Sequence, residues 1–209
     1  MDENALRCRL TTGRNGMKLT LLFVSIIAMA LLVGAGSAQD ANTKHFAKDG
    51  LSFDYPNGWT VIDDSNSDAQ QLTLTRADNE AQIKFFVHRG KVNTPEKVTQ
   101  AKTAIVDPYI TYTNKQFVDM GGKPQKAPAT TKIGGVDSEG VRITAVLDGE
   151  PGEAGIYWTT LSDRLVVLTF FGPDKALKKI TPIWDGVRNS LKVEPPPPKG
   201  APSPTPKPK

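Results

Sequence analysis

Apolar and polar residues alternate along the first half of the chain, with the period of two that a half-buried β-strand shows. The alternation is clearest in residues 82–88, where Ile83, Phe85 and Val87 share one side of the predicted strand. Shorter segments of the same kind precede it at 45–47, 51–55, 59–62 and 72–75. Lys48-Asp49-Gly50 separates the first two with the chemistry of a tight turn, because glycine readily takes a positive φ after aspartate. The pattern predicts an antiparallel meander.

A helix is predicted next, beginning at Thr94-Pro95-Glu96. A threonine N-cap, a proline in the first helical position and an early carboxylate are typical of a helix start. Four residues then share one face of this helix: Val98, Ala101, Ile105 and Tyr109. Pro108 is expected to kink or end the helix, since proline has no N–H to donate and crowds the preceding turn. Gly121 and Gly122 are expected to close the segment.

A second set of strands and a last helix follow. The strands are predicted at 129–133, 141–147, 155–161 and 165–171, with glycine- and aspartate-rich turns between them. Residues 165–168 are apolar on both faces, so this strand should lie in the middle of the sheet with cover on each side. One layer of cover is predicted from a helix whose apolar residues recur at steps of three and four. They are Leu177, Ile180, Trp184, Val187 and Leu191, and Pro182 is expected to kink this helix.

Together these elements predict an α+β sandwich, in which two helical segments serve one antiparallel sheet of about six or seven strands. The three tryptophans are predicted as core anchors: Trp59 after a turn, Trp158 in a strand and Trp184 on the apolar stripe of the last helix. Buried tryptophan contributes strongly to the packing of a small domain. The alternative, that these rings line a ligand groove, stays open because aromatic anchors dominate many binding surfaces.

The N-terminal segment has the composition of a secretory signal peptide. Met17-Lys18 precedes an apolar run at 19–33, and the small residues of 34–38 follow it. The run is shorter than the roughly 20 residues that span a hydrocarbon core, so we expect export with cleavage after Ala38 and no membrane span in the mature protein. The polar residues before Met17 add nothing to such a signal, and Met17 is the expected translation start. No cysteine follows the cleavage site, which favours a soluble product over a lipid-anchored one.

These ends divide the chain into four segments. We expect a leader and signal peptide in 1–38, a polar lead-in in 39–44, one folded domain in 45–194 and a disordered tail in 195–209. The tail is rich in proline and lysine. Proline forbids both helix and sheet ladder, so the tail should be extended.

Two interpretations of the tail stay open. Its lysines are Lys199, Lys207 and Lys209. They are a possible interaction site if the tail is a cationic polyproline arm that binds an anionic envelope polymer or a proline-binding partner. The alternative is a solvated spacer without a binding role.

The charge of the body excludes one class of partner. Residues 39–198 contain 19 Lys or Arg and 20 Asp or Glu, a net charge of −1, although the whole chain carries +4. A nucleic-acid-binding protein normally shows a concentrated basic face. The near-neutral body therefore argues against a nucleic-acid partner.

No constellation of residues predicts a catalytic, cofactor-binding or metal site. The chain has two histidines, His45 and His88, and neither has His, Asp or Glu at ligand spacing. Residues 64–68 carry oxygen ligands at alternate positions, as a calcium loop does, but Ala69 stands where such a loop needs glycine. A solvated turn is the preferred interpretation. The mature chain has no Gly-x-Ser-x-Gly motif; residues 135–140 come nearest and are expected to form a hairpin turn.

Residues 50–59, Gly-Leu-Ser-Phe-Asp-Tyr-Pro-Asn-Gly-Trp, resemble the opening motif of PsbP-like domains. This superfamily includes the extrinsic PsbP proteins of photosystem II, the Ran-binding Mog proteins and the bacterial DcrB and LpqN proteins. Residues 164–170 resemble the late central strand of these domains, and residues 183–193 resemble their closing helix and its exit. The resemblance spans residues 46–194. It lies in packing and turn residues, so no functional residue carries over.

The resemblance implies an αβα sandwich and members that act by binding another protein. We therefore expect an exported, non-enzymatic binding or accessory protein of the bacterial cell envelope that acts through protein–protein contacts without a cofactor. Its partner is an unknown envelope protein or anionic envelope polymer, and its oligomeric state stays open. The alternative is a small-ligand carrier, or an undetected enzyme, with a pocket between sheet and helix. Convergent titratable groups in a cleft would favour the enzyme, and an exposed apolar patch or edge strand the binding protein.

Overall fold

The computed structural model describes residues 42–78 and 80–195, in which the chain forms ten strands and three α-helices. The strands are β1 (Thr43–Lys48), β2 (Leu51–Pro56), β3 (Thr60–Asp63), β4 (Ala69–Thr75), β5 (Gln82–His88), β6 (Gln125–Ile133), β7 (Val136–Leu147), β8 (Glu150–Leu161), β9 (Arg164–Pro173) and β10 (Lys192–Val193). The helices are α1 (Pro95–Ala101), α2 (Asp107–Asp119) and α3 (Asp174–Ser190), with a π-helical turn (Lys102–Val106) between α1 and α2.

The predicted terminal segments lie mostly outside the described residues. These segments are the signal peptide, the first part of the lead-in, and the tail beyond Pro195 with Lys199, Lys207 and Lys209. Strand β1 begins at Thr43, inside the predicted lead-in, because its hairpin with β2 extends until Thr43 pairs with Pro56. Backbone pairing continues to Thr43 although the side chains there are exposed. The start of β1 therefore cannot be predicted from an alternation of apolar and polar residues.

Seven of the described strands form one antiparallel sheet in the order β3-β4-β5-β9-β8-β7-β6. Strand β9 lies in the middle, paired with β5 and β8, as its doubly apolar sequence predicts. The α+β class and the antiparallel sheet of six or seven strands are thus confirmed. The sequence pattern does not predict a second sheet, in which β2 pairs with β1 and the two-residue strand β10.

Helix α3 covers one face of the large sheet, which we call the α3 face. The predicted apolar stripe points inward, and Ile180, Trp184 and Val187 are buried. Helix α3 runs through Pro182 without ending. Trp184 is 8% exposed and Trp59 is 4% exposed, and both belong to the core on this face. That core also contains Leu51 and Phe53 of the small sheet and Leu72, Leu74, Ile83, Phe85, Val166 and Leu168 of the large sheet.

The other face of the sheet, which we call the α1–α2 face, is covered by α1, the π-helical turn and α2. Thr94 is the N-cap of α1, as predicted, and its Oγ1 accepts a hydrogen bond from the Lys97 backbone N–H at 3.4 Å. Gly121, with φ +83°, follows the end of α2, also as predicted. Trp158 belongs to this face rather than to the α3-face core. Its ring is partly buried, with Nζ of Lys102 5.5 Å from the ring centroid.

Of the two outcomes expected at Pro108, a kink or an end of the helix, the structure excludes the end, because helical structure continues to Asp119. Pro108 lies in the first turn of α2, where a missing N–H costs little. The turn before it is π-helical, and the Asp107 N–H donates to the Lys102 carbonyl five residues earlier. A π-helical turn changes the register of the helix without breaking it, so the residues beyond Pro108 still face the sheet.

A buried arginine joins the small sheet to the large one. Arg164 is 2% exposed, and its guanidinium donates to the Gln70 Oε1 (2.6 Å), the His88 carbonyl (3.0 Å) and the Asp49 carbonyl (3.3 Å). Burial lowers the pKa of this guanidinium. Asp49 lies in the turn between β1 and β2, where Gly50 has the predicted positive φ and Asp49 has one as well. Arg164 therefore fixes the turn against the end of the large sheet.

Candidate functional site

The two faces of the large sheet are covered unequally. On the α1–α2 face, the strand residues in the buried cluster come from β7, β8 and β9: Ile143, Ala145, Ala154, Ile156, Leu165 and Val167. Within the described residues, neither β3 nor β4 contributes a buried side chain to this cluster. Within residues 42–78 and 80–195, the helical layer therefore stops short of this end of the sheet and leaves part of the α1–α2 face uncovered.

A groove of about 450 Å³ follows the boundary between the covered and uncovered parts of this face. Ile105 of the π-helical turn and Tyr109 of α2 line it from the helical side, and Phe86 of β5 lines it from the sheet. The groove is also lined by Asp64, Gln71, Thr73, Lys84, Val167 and Thr169. Aliphatic and aromatic surface thus adjoins a row of polar side chains.

The polar side chains of the groove are available to a ligand. The side chains of Gln71, Thr73 and Lys84 make no hydrogen bond or ion pair with another described residue. They offer an amide, a hydroxyl and an ammonium group, all of which donate hydrogen bonds. A bound molecule with exposed carbonyl oxygens would satisfy them.

Tyr109 supplies the phenol of the groove. Burial raises the pKa of Tyr109, and hydrogen bonding with Thr169 and Thr113 opposes that shift. The phenol therefore stays protonated near neutral pH and serves as a hydrogen-bonding aromatic surface rather than as a base.

The groove adjoins an edge of the large sheet at which β3 has β4 as its one partner among the described strands. Ile62 of β3 pairs with Thr73 and is 46% exposed. Residues that pair across two strands share a face, so Ile62 extends the apolar surface beyond Thr73. An exposed edge strand next to apolar surface is a template for an added strand.

A second, smaller pocket of about 190 Å³ lies on the α3 face, between α3 and the sheet. Glu153 of β8 is buried there, and its carboxylate accepts two hydrogen bonds from Arg142, one of them 2.7 Å from Nε. That hydrogen bonding raises the pKa of Arg142. Asp174, Lys178 and Trp184 also line the pocket. Of these charged groups, Glu153 and Arg142 pair with each other, while Asp174 and Lys178 make no ion pair with another described residue.

Glycines shape the sheet beneath this pocket. A Cβ at Gly140 would lie 2.3 Å from the Tyr157 ring, and a Cβ at Gly155 would lie 2.5 Å from the Phe170 ring. The two rings therefore lie flat over glycine backbone. Phe170 in turn packs edge-on against Trp184, with ring centroids 4.9 Å apart. This close packing leaves the α3 pocket small.

The structure shows the hydrogen-bond partners of the polar residues that the sequence analysis considered as metal ligands or catalytic groups. His45 pairs with Asp54 at 2.6 Å on the exposed side of the small sheet, and the Nδ1 of His88 accepts the Gly90 N–H at 3.0 Å. In the loop of residues 64–68, Asn66 Oδ1 accepts two backbone N–H groups at 2.9 Å, as in a turn. Residues 136–140 belong to β7, so the expected hairpin turn there is confined to Gly134 and Gly135.

Sequence reasoning missed the groove, although it placed most of its residues on strands or helices. Ile105 and Tyr109 share the predicted inner face of the helix, and Phe86 is apolar at a position where alternation predicts a polar side chain. An aromatic residue at this polar position of the alternation, Phe86, was the one sequence feature that could have indicated an apolar binding surface. Within the described residues, no three His, Cys, Asp or Glu side chains gather as metal ligands would. Over the same residues, no helix is long and apolar enough to cross a membrane.

No family model matches the chain, and no curated protein matches its sequence. Several solved structures are similar in fold. Cyanobacterial PsbP (CyanoP) from Synechocystis is 15% identical, with a TM-score of 0.47, 78% of this chain covered and 99% of that one. The Ran-binding protein Mog1p of Saccharomyces cerevisiae is 10% identical, with a TM-score of 0.43 and coverages of 74% and 96%.

LpqN of Mycobacterium tuberculosis, described as involved in cell envelope biogenesis, is 11% identical, with a TM-score of 0.42 and coverages of 73% and 91%. These are the kinds of protein that residues 50–59 resemble. At such identities the similarity concerns the fold alone and carries no functional conclusion.

Proposed function

We propose that this protein is an exported, non-enzymatic binding protein of the bacterial cell envelope, and that it holds an extended segment of a partner protein in the groove. The observation that carries the proposal is the open part of the α1–α2 face. There Phe86, Ile105 and Tyr109 adjoin unpaired polar side chains and the edge strand β3. Export is supported by the signal-like sequence of residues 17–38.

An extended polypeptide fits this surface better than a compact ligand does. Its backbone carbonyls would accept hydrogen bonds from Gln71, Thr73 and Lys84, which lie on two neighbouring strands. Its side chains would pack on Phe86, Tyr109 and Ile62. An extended peptide of four or five residues is roughly 15 Å long, which is comparable to the width of three neighbouring strands at ~4.8 Å spacing.

Site-specific photo-crosslinking in the native envelope tests the proposal. A photoreactive amino acid at Thr73 lies in the groove, and one at Val146, which is 60% exposed on β7, serves as the control. We expect a discrete protein adduct from position 73 and not from 146, and we expect Tyr109→Ala to reduce it. Equal adducts from both positions, or an adduct unaffected by Tyr109→Ala, would contradict the proposal.

A small-ligand carrier is the second candidate, and the α3 pocket supports it. The buried Glu153 carboxylate, paired with the partly exposed Arg142 beside Trp184, combines charge with aromatic surface in one pocket. Melting curves with a panel of small carboxylates, amines and amino acids test this candidate. We expect a stabilising compound to lose its effect in Arg142→Ala. If no compound in the panel raises the Tm, the α3 pocket is not a carrier site.

A further inference from the structure

We propose that the protein's own proline-rich tail, residues 195–209, binds in the groove and competes there with the partner segment. The inference rests on the proposed function, because it assigns a second occupant to the same site. Its consequence is that the groove is self-covered until a partner displaces the tail. Three observations support it: where the tail leaves the domain, how far it reaches, and what the groove offers to proline.

The tail leaves the domain near the mouth of the groove. The Glu194 N–H donates to the Gly50 carbonyl at 2.7 Å, which fixes the start of the tail beside the β1–β2 turn. Two residues away, Lys48 Nζ lies 2.6 Å from Asp63 Oδ2. The next residue, Asp64, lines the groove. Two contacts, Glu194 with Gly50 and Lys48 with Asp63, therefore connect the start of the tail to the residue that precedes Asp64 of the groove.

The tail is long enough to cover the groove. Its 15 residues span about 45 Å as a polyproline II helix, at ~3.1 Å per residue. The groove lies across β4, β5 and β9, which are neighbours in the sheet. Three strands at ~4.8 Å spacing occupy about 10 Å between the outer two. The tail can thus turn around the β3–β4 end of the sheet and still cross the groove.

The chemistry of the groove suits a proline-rich segment. A polyproline II helix makes no internal hydrogen bonds, and proline has no N–H, so its carbonyls need donors and its rings need flat apolar surface. Gln71, Thr73 and Lys84 supply donors, while Phe86 and Tyr109 supply aromatic surface. The tail contains eight prolines, four of them consecutive at 195–198.

The groove carries one carboxylate and one ammonium group, from Asp64 and Lys84, so its net charge neither favours nor opposes a cationic segment. The tail carries Lys199, Lys207 and Lys209 and no acidic residue. Asp64 lines the groove, and its carboxylate makes no ion pair with another described residue. A lysine following the four consecutive prolines could pair with this carboxylate. Such an exposed pair is weakened by salt.

Nuclear magnetic resonance of the mature chain 39–209, compared with chain 39–194, tests the proposal. The shorter chain keeps almost all the described residues and both buried clusters. We expect the amide signals of 71–73, 84–86 and 105–109 to differ between the two. A synthetic peptide of residues 195–209 should restore them, saturating in the millimolar range or below, since tethering gives an effective concentration of about that size.

Matched variants and a second peptide separate the outcomes. In the shorter chain, Tyr109→Ala should weaken peptide binding at least about fivefold, and Val146→Ala should leave it unchanged. A peptide with alanine at every proline keeps the charge and should bind at least about tenfold more weakly. Shifts elsewhere, no shifts, or equal binding of the alanine peptide would each overturn the tail proposal. If the tail fails this test while position 73 still crosslinks a partner, only the tail proposal fails. If the tail binds and position 73 gives no adduct, the proposed function fails instead.

Discussion

The two faces of the large sheet are formed by the same strands but are covered to different extents. On the α3 face, one 17-residue helix and the small sheet close the surface, and aromatic residues interdigitate from Phe53 to Trp184. On the α1–α2 face, the helical layer covers β7, β8 and β9 and leaves β3 and β4 open. The closed face removes apolar surface from water and so stabilises the fold. The open face leaves apolar surface exposed, and the proposed function assigns this surface to a partner.

The largest difference between the faces is expected at two tryptophans. Trp184→Ala should destabilise the domain by about 3–5 kcal/mol, because Trp184 is buried against Phe170 and Tyr157. Trp158→Ala removes the same side chain from the partly covered face and should cost about half as much, since that ring is only partly buried. Urea unfolding measures both. Equal losses for the two variants would show that the faces contribute alike.

The next effect is expected where the small sheet closes the α3 face. Arg164→Met should lower the free energy of unfolding by about 2–3 kcal/mol, because it leaves the Gln70 amide oxygen and the carbonyls of His88 and Asp49 without a donor. Arg89→Met is the matched control. Arg89 pairs with the same Asp49 at the surface and should cost less than about 1 kcal/mol. A similar loss of stability in both variants would mean that burial does not determine how much Arg164 contributes to the free energy of unfolding.

A smaller effect on stability, with a large effect on binding, is expected at the open face. Ile62→Ala should change the free energy of unfolding by no more than about 0.5–1 kcal/mol, because the side chain is half exposed. The same change should reduce the crosslinked adduct formed from position 73. Val146 of β7 is 60% exposed, against 46% for Ile62, and does not line the groove, so Val146→Ala should leave both unchanged. Loss of stability without loss of the adduct would assign Ile62 to the core.

The smallest effect is expected at the ion pair between Lys48 and Asp63. A hydrogen bond from Lys48, and then one from Ser65, lowers the pKa of Asp63 from 3.8 to about 2. Because the folded pKa is the lower one, the pair stabilises the fold above pH 3.8, and this contribution is lost as the pH falls through 2. The pair is largely exposed, so its contribution should be well below about 1 kcal/mol.

Unfolding of the native protein and of Asp63→Asn between pH 2 and 6 measures that contribution. The difference in stability should be greatest above pH 4 and should decrease as the pH falls towards 2, where Asp63 is half protonated in the folded state. It should also shrink as salt is added. A difference that grows on acidification would have the wrong sign for this pair.

Local patterns determined most of the secondary structure. The Asp49-Gly50 turn, the Thr94 cap and the stripe around Trp184 each depend on residues within a few positions of one another. The central place of β9 was also predictable, because residues 165–168 are apolar on both faces and need cover on both sides. Such features are decided by the period of a pattern and by turn chemistry, which the chain carries locally.

Tertiary structure alone decided the second sheet, the buried environment of Arg164 and the groove. Arg164 follows a turn in the sequence and looks like an exposed residue, yet its three acceptors lie 76, 94 and 115 positions away. The groove requires Gln71, Phe86 and Tyr109 to meet from a strand pair and a helix. It also requires the helical layer to stop at β9. How far a helix covers a sheet depends on packing between distant segments, which no local pattern of the sequence records.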